Sequence, residues 1–392
     1  MSGNFLMLAK TLFGLEEVLA KELRVLGAGK IQPGNRCVYF EGDLGFMYKA
    51  NLNLRTALRV LRPIAEFQLN RAEDLYSKVQ GIHWHEYLDP SMTFAIDSVV
   101  IGDLFANSLY VAQKSKDAIA DQLRSRFGKR PDVSIVDPDV RIHIHIQHQT
   151  VHVSLDSSGN SLHLRGYRTA TNIAPLNEVL AAGILLLSGW EGQTDFLDPM
   201  CGSGTILIEA AMIACNIPAG IHRKNFGFQR WKDYDSNLFG VIYEASLKKS
   251  REFSYTIRGM DKAPSAILKA NQNIQNAGLE SYISIDQSNF FESEKDREDA
   301  LLIVTNPPYG ERLAIERNSF YKTFGDTLKS NYSNTKAWIL VGDPEIVKMV
   351  GLRASRKIKL FNGKIDSRLA LFDIYAGSKK QQVPERKKFG FK

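Results

Sequence analysis

The chain has 392 residues, 44% hydrophobic and 24% charged, with 50 Lys+Arg against 43 Asp+Glu. That length leaves room for two or three cores, and that composition excludes wholesale disorder. Three cysteines (Cys37, Cys201 and Cys215) without metal spacing exclude a disulfide framework. The opening lacks a basic leader with an apolar core, and Leu180–Leu187, interrupted by Gly183, is too short to span a membrane, so a soluble cytoplasmic protein is expected.

Residues 1–60 begin with a strand over Phe5–Ala9 and a helix over Leu15–Leu26, whose Leu15, Val18, Leu19, Leu23 and Leu26 recur at helical spacing before Gly27 and Gly29. Cys37–Phe40 reads as a strand and Asp43–Asn51 as a helix. His83 and His85 flank Trp84, but no third ligand lies at metal spacing, so they read as structural. Phe94–Val100 is a strand and Leu104–Phe127 a long helix. Val140–Ile146 alternates: Ile142, Ile144 and Ile146 point one way, Arg141, His143 and His145 the other. Val151, Val153 and Leu155 repeat the pattern, giving a hairpin with one wet face decorated by His143, His145 and His152. Neutral or RNA-facing surface histidines suit that face better than zinc ligands, and no metal is expected.

Asp156–Ser161 is a turn-rich boundary. Beyond it Pro175 sits in the first turn of an apolar helix running to Ser188. Strands then alternate with helices, the pattern of a mainly parallel sheet. The strands are Thr194–Leu197, Tyr255–Met260, Tyr282–Ile285, Leu301–Val304, Lys336–Val341, Ile358–Phe361 and Leu369–Tyr375; the helices are Thr205–Asn216, Pro264–Ala277, Phe320–Ser330 and Glu345–Met349.

Charge is unevenly spread. Residues 1–160 hold 18 Lys+Arg and 18 Asp+Glu, so the net +7 falls in the remainder. Arg353–Arg368 and Gly377–Lys392 each carry +5. Such clusters suit a polyanion, and equally a solvated face and tail.

Asp198-Pro-Met-Cys-Gly-Ser-Gly-Thr205 links the first strand of the alternating region to a helix. It is neither a Walker loop nor a dinucleotide fingerprint, because Leu207 stands where a third glycine belongs. Gly202 and Gly204 allow close backbone approach, and an acid before them suits a cationic ligand. Asp261 ends the second strand, where a carboxylate can accept both ribose hydroxyls, and Asp286 ends the third, within reach of an adenine amine. Singly each could be a helix N-cap. Together they describe a pocket for an adenosine with a cationic amino-acid tail, that is, S-adenosylmethionine.

The fourth strand, Leu301–Val304, stops at Asn306-Pro307-Pro308-Tyr309. Two prolines end the ladder and hold an amide, a bare carbonyl and an aromatic ring at the strand end. An exocyclic amine is a poor nucleophile because its lone pair is delocalised. The Asn306 side-chain oxygen and the Pro307 carbonyl could accept its two N–H groups and favour the pyramidal nitrogen, while Tyr309 stacks on the base. A tight turn using Asn and Pro only for geometry is the plain alternative.

These segments resemble class I S-adenosylmethionine-dependent amino-methyltransferases. Thr305–Leu313, Leu164–Arg168, Ala174–Glu178 and Thr11–Leu23 narrow the resemblance to THUMP-domain RNA methyltransferases, specifically the guanine-N2-methylating portion of the bacterial large-subunit ribosomal RNA enzyme and its stand-alone relatives. The resemblance implies an α/β protein: a ferredoxin-like unit over 1–60, a THUMP domain over 61–160, a Rossmann-like seven-stranded methyltransferase domain over 161–378 and a basic tail over 379–392. It also implies that Asp198, Pro199, Cys201, Gly202, Gly204, Asp261 and Asp286 contact the cofactor. Asn306, Pro307, Pro308 and Tyr309 would hold the target amine and base, with RNA, most simply ribosomal RNA, as partner. Adenine-N6 methylation of RNA or DNA and a non-catalytic RNA-binding role are the competing readings; the oligomeric state is left open. The long connection Asn216–Phe239, with Arg223, Lys224, Phe226, Phe228, Arg230 and Trp231, fits either a clamp on a flipped base or an insertion packed by its aromatics.

Overall fold

A computed structural model describes residues 3–170, 175–296, 298–308 and 317–375. The chain divides into two compact units, one of residues 1–166 with 216–250, the other of residues 167–215 with 251–392. Among the described residues no helix is long and apolar enough to cross a membrane.

The first unit is built on an eight-stranded sheet of β1 (Phe5–Lys10), β2 (Gly29–Gly34), β3 (Cys37–Gly42), β4 (Arg59–Gln68), β5 (Thr93–Ile101), β6 (Asp132–Val133), β7 (Val140–Gln147) and β8 (Thr150–Asp156), in the order β2-β3-β1-β4-β8-β7-β5-β6. Helix Glu16–Leu26 buries Leu19, Ala20 and Leu23 and ends at Gly27, whose φ of 96° gives the left-handed turn that closes it. Asp43 caps helix Leu44–Asn53 by accepting from the Phe46 N–H, and Asn107 caps helix Ser108–Phe127 through the Leu109 N–H. β4 pairs with β1 on one side and β8 on the other, so strands before and after residue 60 share one sheet.

Two expectations change here. The β7–β8 hairpin has Ile142, Ile144 and Ile146 in the core as expected, but its other face is not wet at His143, which is 7% exposed with Nε2 2.6 Å from Lys10 Nζ. Burial and the Lys10 charge push His143 down to about 3, so it is neutral. The connection 216–250 belongs to this unit and not to the sheet that precedes and follows it in sequence. Phe226, Phe228 and Trp231 join its core, with Phe228 stacked on Tyr48 at 4.3 Å and on Phe226 at 5.4 Å. Arg223 donates to the carbonyls of Ser158, Asn160, Ser161 and Leu164, and Arg230 pairs with Asp137 at 2.7 Å. Phe226, Phe228, Trp231, Arg223 and Arg230 are therefore packing and tethering groups, which favours the packed insertion over the clamp; Lys224 alone of the six is exposed.

The second unit is a seven-stranded sheet of β9 (Asp195–Asp198), β10 (Ile257–Asp261), β11 (Ile283–Gln287), β12 (Leu301–Thr305), β13 (Thr335–Val341), β14 (Arg356–Asn362) and β15 (Ile365–Ile374), in the order β11-β10-β9-β12-β13-β15-β14. β9 to β13 are parallel, and β15 runs antiparallel to both β13 and β14. β9 lies between β10 and β12, so the strand order reverses there, the point at whose carboxyl side open α/β sheets hold their ligands. One face is covered by helix Arg317–Asn331 and the short helix Ile346–Met349, through Tyr321, Phe324, Leu328, Ile346 and Val347. Helices Thr205–Ala214 and Pro264–Asn276 follow β9 and β10 as right-handed crossovers require.

Candidate active site

β9 ends at Asp198, and the chain turns through Pro199–Gly204 into helix Thr205–Ala214. The turn needs two left-handed residues, Gly202 at φ 56° and Gly204 at φ 81°. A Cβ on Gly204 would stand 3.3 Å from Ala270 Cβ, because the loop lies against helix Pro264–Asn276. Backbone bonds complete the loop: Cys201 N–H donates to the Met260 carbonyl and Gly204 N–H to the Cys201 carbonyl, both at 2.9 Å.

The two strand-end acids are wired into this loop. Asp198 Oδ1 accepts from the Met200 N–H at 3.2 Å. Asp261 Oδ2 accepts from the Gly202 N–H at 3.0 Å, and its Oδ1 from the Ala263 N–H at 2.9 Å. Asp261 thus holds the turn before helix Pro264–Asn276 and anchors the loop at once, with one lone pair left on each oxygen. Asp198 is 1% exposed. Burial raises its carboxyl to about 7; the Thr305 hydroxyl and Met200 N–H pull the other way, and the Asp261 charge adds to the rise. Among the described residues no cation sits against Asp198 to offset this. Cys201 is buried beside both acids, and burial raises its thiol well above the usual range.

At the end of the neighbouring β12 lies the Asn306 turn. Thr305 and Pro307 are buried and Pro308 is exposed. Tyr321, fully buried, donates its hydroxyl to the Pro308 carbonyl at 3.3 Å and so fixes the turn from the helix that covers it. Asn306 Oδ1 is buried and has no hydrogen-bond partner among the described residues. An acceptor left so costs about 1–3 kcal/mol unless a donor arrives. Tyr309 and the rest of the motif to Leu313, and Ala174, lie outside the described residues.

Asp286 is not brought to this cluster. It stands opposite Met260 in the β10–β11 register, while Asp261 stands opposite Gln287, so the two acids project from opposite faces of the sheet. Asp286 instead pairs with Arg258 at 3.3 Å, and Arg258 also holds Asp296. Two groups to which the sequence reading gives no site role support the loop. Asn273, 1% exposed, donates to the carbonyls of Ser203 and Ala170 at 3.0 and 2.9 Å and accepts from the N–H groups of Thr169 and Ala170. Arg168 donates to Thr205 Oγ1 at 2.8 Å and pairs with the buried Glu178 at 3.2 Å. No pattern marks an asparagine in mid-helix as such a bridge; only Arg168 lies in a segment that the sequence singles out. A cavity of about 110 Å³, lined by Asp195, Thr256, Arg258, Lys295 and Tyr332, opens at the amino ends of these strands and contains none of the site residues.

Residues 165–370 match the family described as RMKL-like, methyltransferase domain. The chain belongs to the RMKL-like methyltransferase family. Residues 7–61 match the RlmL ferredoxin-like domain and residues 70–156 the THUMP domain. Ribosomal RNA large subunit methyltransferase K/L of Cellvibrio japonicus is 39% identical over 92% of this chain and 50% of its own length. The chain spans about half the length of the K/L relatives it matches. Among solved structures, SMU.472, provisionally described as a methyltransferase and complexed with SAH, has a TM-score of 0.87 at 30% identity, over 96% of this chain and all of that one. A Listeria monocytogenes protein, provisionally described as an N6-adenine-specific DNA methylase, has a TM-score of 0.85 at 29% identity, over 96% and 97%. The fold class, the resemblance and S-adenosylmethionine as cofactor therefore hold for this RMKL-like methyltransferase. The site fits that cofactor: a buried acid without a cation suits a sulfonium and ammonium, and the Gly202–Gly204 turn admits close backbone approach.

Proposed function

We propose that this protein methylates an exocyclic base amine of RNA, most specifically guanine N2 of ribosomal RNA, in the cytoplasm. The observation that carries the reading is Asn306 Oδ1, a buried acceptor without a partner among the described residues, one strand away from an uncompensated Asp198. The THUMP match and the names of the K/L relatives favour RNA over DNA.

Asp198, Asp261, Gly202 and Gly204, with Pro199 and Cys201 shaping the loop, would hold S-adenosylmethionine, which supplies an electrophilic methyl group when bound. Asp261 offers its free lone pairs to the ribose hydroxyls. Asp198 stabilises positive charge, and its own ionisation is stabilised in return. Asn306 Oδ1 and the Pro307 carbonyl accept the two N–H groups of the target amine and so favour a pyramidal nitrogen whose lone pair faces the methyl. Tyr309 stacks on the base. Positioning supplies the rate, since a primary amine attacking a sulfonium needs no strong base.

The test is methylation of RNA by the full chain, read by nucleoside mass spectrometry, for wild type and Asn306→Ala. N2-methylguanosine should accumulate with wild type. The variant should lose about a hundredfold or more in turnover while calorimetry shows S-adenosylmethionine still bound. The description of the Listeria protein favours a second reading, adenine N6; N6-methyladenosine as the product would replace guanine with adenine.

A further inference from the structure

Without residues 377–392 the methyltransferase unit is not basic. Residues 167–215 with 251–376 carry 19 Lys+Arg and 21 Asp+Glu, a net of −2, yet within them residues 353–368 carry six cations and one carboxylate. This positive island is the β14–β15 hairpin and the approach to it, at the edge of the sheet. Arg353, Arg356, Lys357, Lys359 and Lys364 are all exposed. The lone carboxylate, Asp366, is shared by Arg368 and by Lys359, the latter at 3.7 Å. The other four cations have no carboxylate within ion-pair distance among the described residues.

Register places the hairpin beside the candidate site. Thr305, the last residue of β12, lies opposite Ile339, and Ile339 opposite Ala370. Arg368 lies opposite Val341, two residues further toward the carboxyl end, at the level where the Asn306–Pro307 turn leaves the sheet. Lys359 lies opposite Arg368. Two strand spacings separate β12 from β15, so Arg368 is displaced sideways from the turn by about 10 Å and Lys359 by about 14 Å. Phe361 and the turn at Gly363-Lys364 reach further still in the same direction, and Lys359 Nζ lies 5.4 Å from the half-buried Phe361 ring.

Resting on the RNA reading above, we propose that the β14–β15 hairpin grips the backbone phosphates of the RNA strand that flanks the nucleotide held at Asn306. A base presented to the Asn306 turn leaves its neighbours' phosphates within about one to three strand widths, which is where Arg368, Lys359 and Lys364 stand. Among the described residues of this unit the hairpin is the basic wall on an otherwise acidic surface, so it favours a polyanion there, and the shared Asp366 keeps Arg368 and Lys359 in place without neutralising the island.

The experiment is binding of fluorescein-labelled single-stranded oligo-uridine by the full chain across a salt titration. It compares wild type, Lys359→Gln/Lys364→Gln and the control Lys329→Gln/Lys336→Gln, whose lysines lie at the end where β13 begins. Removing two phosphate-neutralising lysines should reduce the slope of log K against log salt by about 1.4, with severalfold weaker binding for the hairpin pair. The control should match wild type, and S-adenosylmethionine affinity by calorimetry should be the same in all three. Equal RNA binding by the hairpin pair and wild type overturns the proposal and leaves these lysines as guards of an exposed sheet edge. Equal weakening in both pairs also overturns it, since attraction is then diffuse. A wild type that binds no RNA overturns the RNA reading itself.

Discussion

Asp198 is a site carboxyl held far from its ordinary form. Folded, it keeps its proton up to about 7 because it is buried, with no cation against it among the described residues; unfolded, it releases that proton in the usual carboxylate range. Between those limits the folded state binds more protons, so stability from this group is present in acid and lost as pH rises through about 7. The midpoint of thermal unfolding of wild type should therefore fall between about pH 4 and about pH 7, and Asp198→Asn should flatten that fall by a few degrees, at about 2–4 °C per kcal/mol for a unit of this size. An unchanged pH profile in the variant would assign the titration elsewhere. Asp198 and Asp261 are legible from sequence because the strand-end rule depends only on where a strand stops. Asp286 is not, because which face it leaves depends on the register with β10, and one residue decides it. His143 escapes for a similar reason: alternation gives two faces but not what covers the second.

At the scale of elements, the alternating region is the most legible part. All seven of its expected strands are present, their ends within about two residues except that β15 begins at Ile365, four before the expected Leu369, because continuous apolar runs between breakers have few other readings. β2 and β4 escape the sequence reading: β2 carries Pro33 and two glycines, and β4 has Pro63 beside a bulge, signals that demote a strand. The connection 216–250 is half legible. Interleaved aromatic and basic residues look alike whether they stack on bases or on other side chains, and only tertiary structure separates the two. Phe228 decides it, being fully buried between Phe226 and Tyr48. Phe228→Ala should cost about 3–5 kcal/mol in urea unfolding of the first unit, whereas Phe228→Leu should keep most of that stability and wild-type RNA affinity. A stable Phe228→Ala with weakened RNA binding would restore the clamp.

For the whole molecule, dividing charge by sequence and dividing it by structure give different pictures. By sequence, residues 1–160 are neutral and the rest holds all of the +7. By unit, the connection 216–250 returns six cations and three acids to the first unit, which then carries +4, and the second unit holds +3 only because Gly377–Lys392 contributes +5. Basicity thus comes from three separate segments on units that are otherwise near balance: the connection, the β14–β15 hairpin and the C-terminal stretch outside the described residues. Arg223 and Arg230 spend their charge on carbonyls and Asp137 inside the first unit, so the connection is the weakest of the three as a phosphate ligand. The other two should then carry most of the salt dependence. A chain ending at Tyr375 would keep every described residue and drop the net charge to +2. Its affinity for single-stranded RNA should fall and its salt slope flatten, by about 0.7 for each phosphate no longer neutralised, with S-adenosylmethionine affinity unaltered in calorimetry. Combining the truncation with Lys359→Gln/Lys364→Gln should reduce the slope by the sum of the two effects if the segments bind separate phosphates. A combined slope no flatter than either alone would mean that they compete for the same ones.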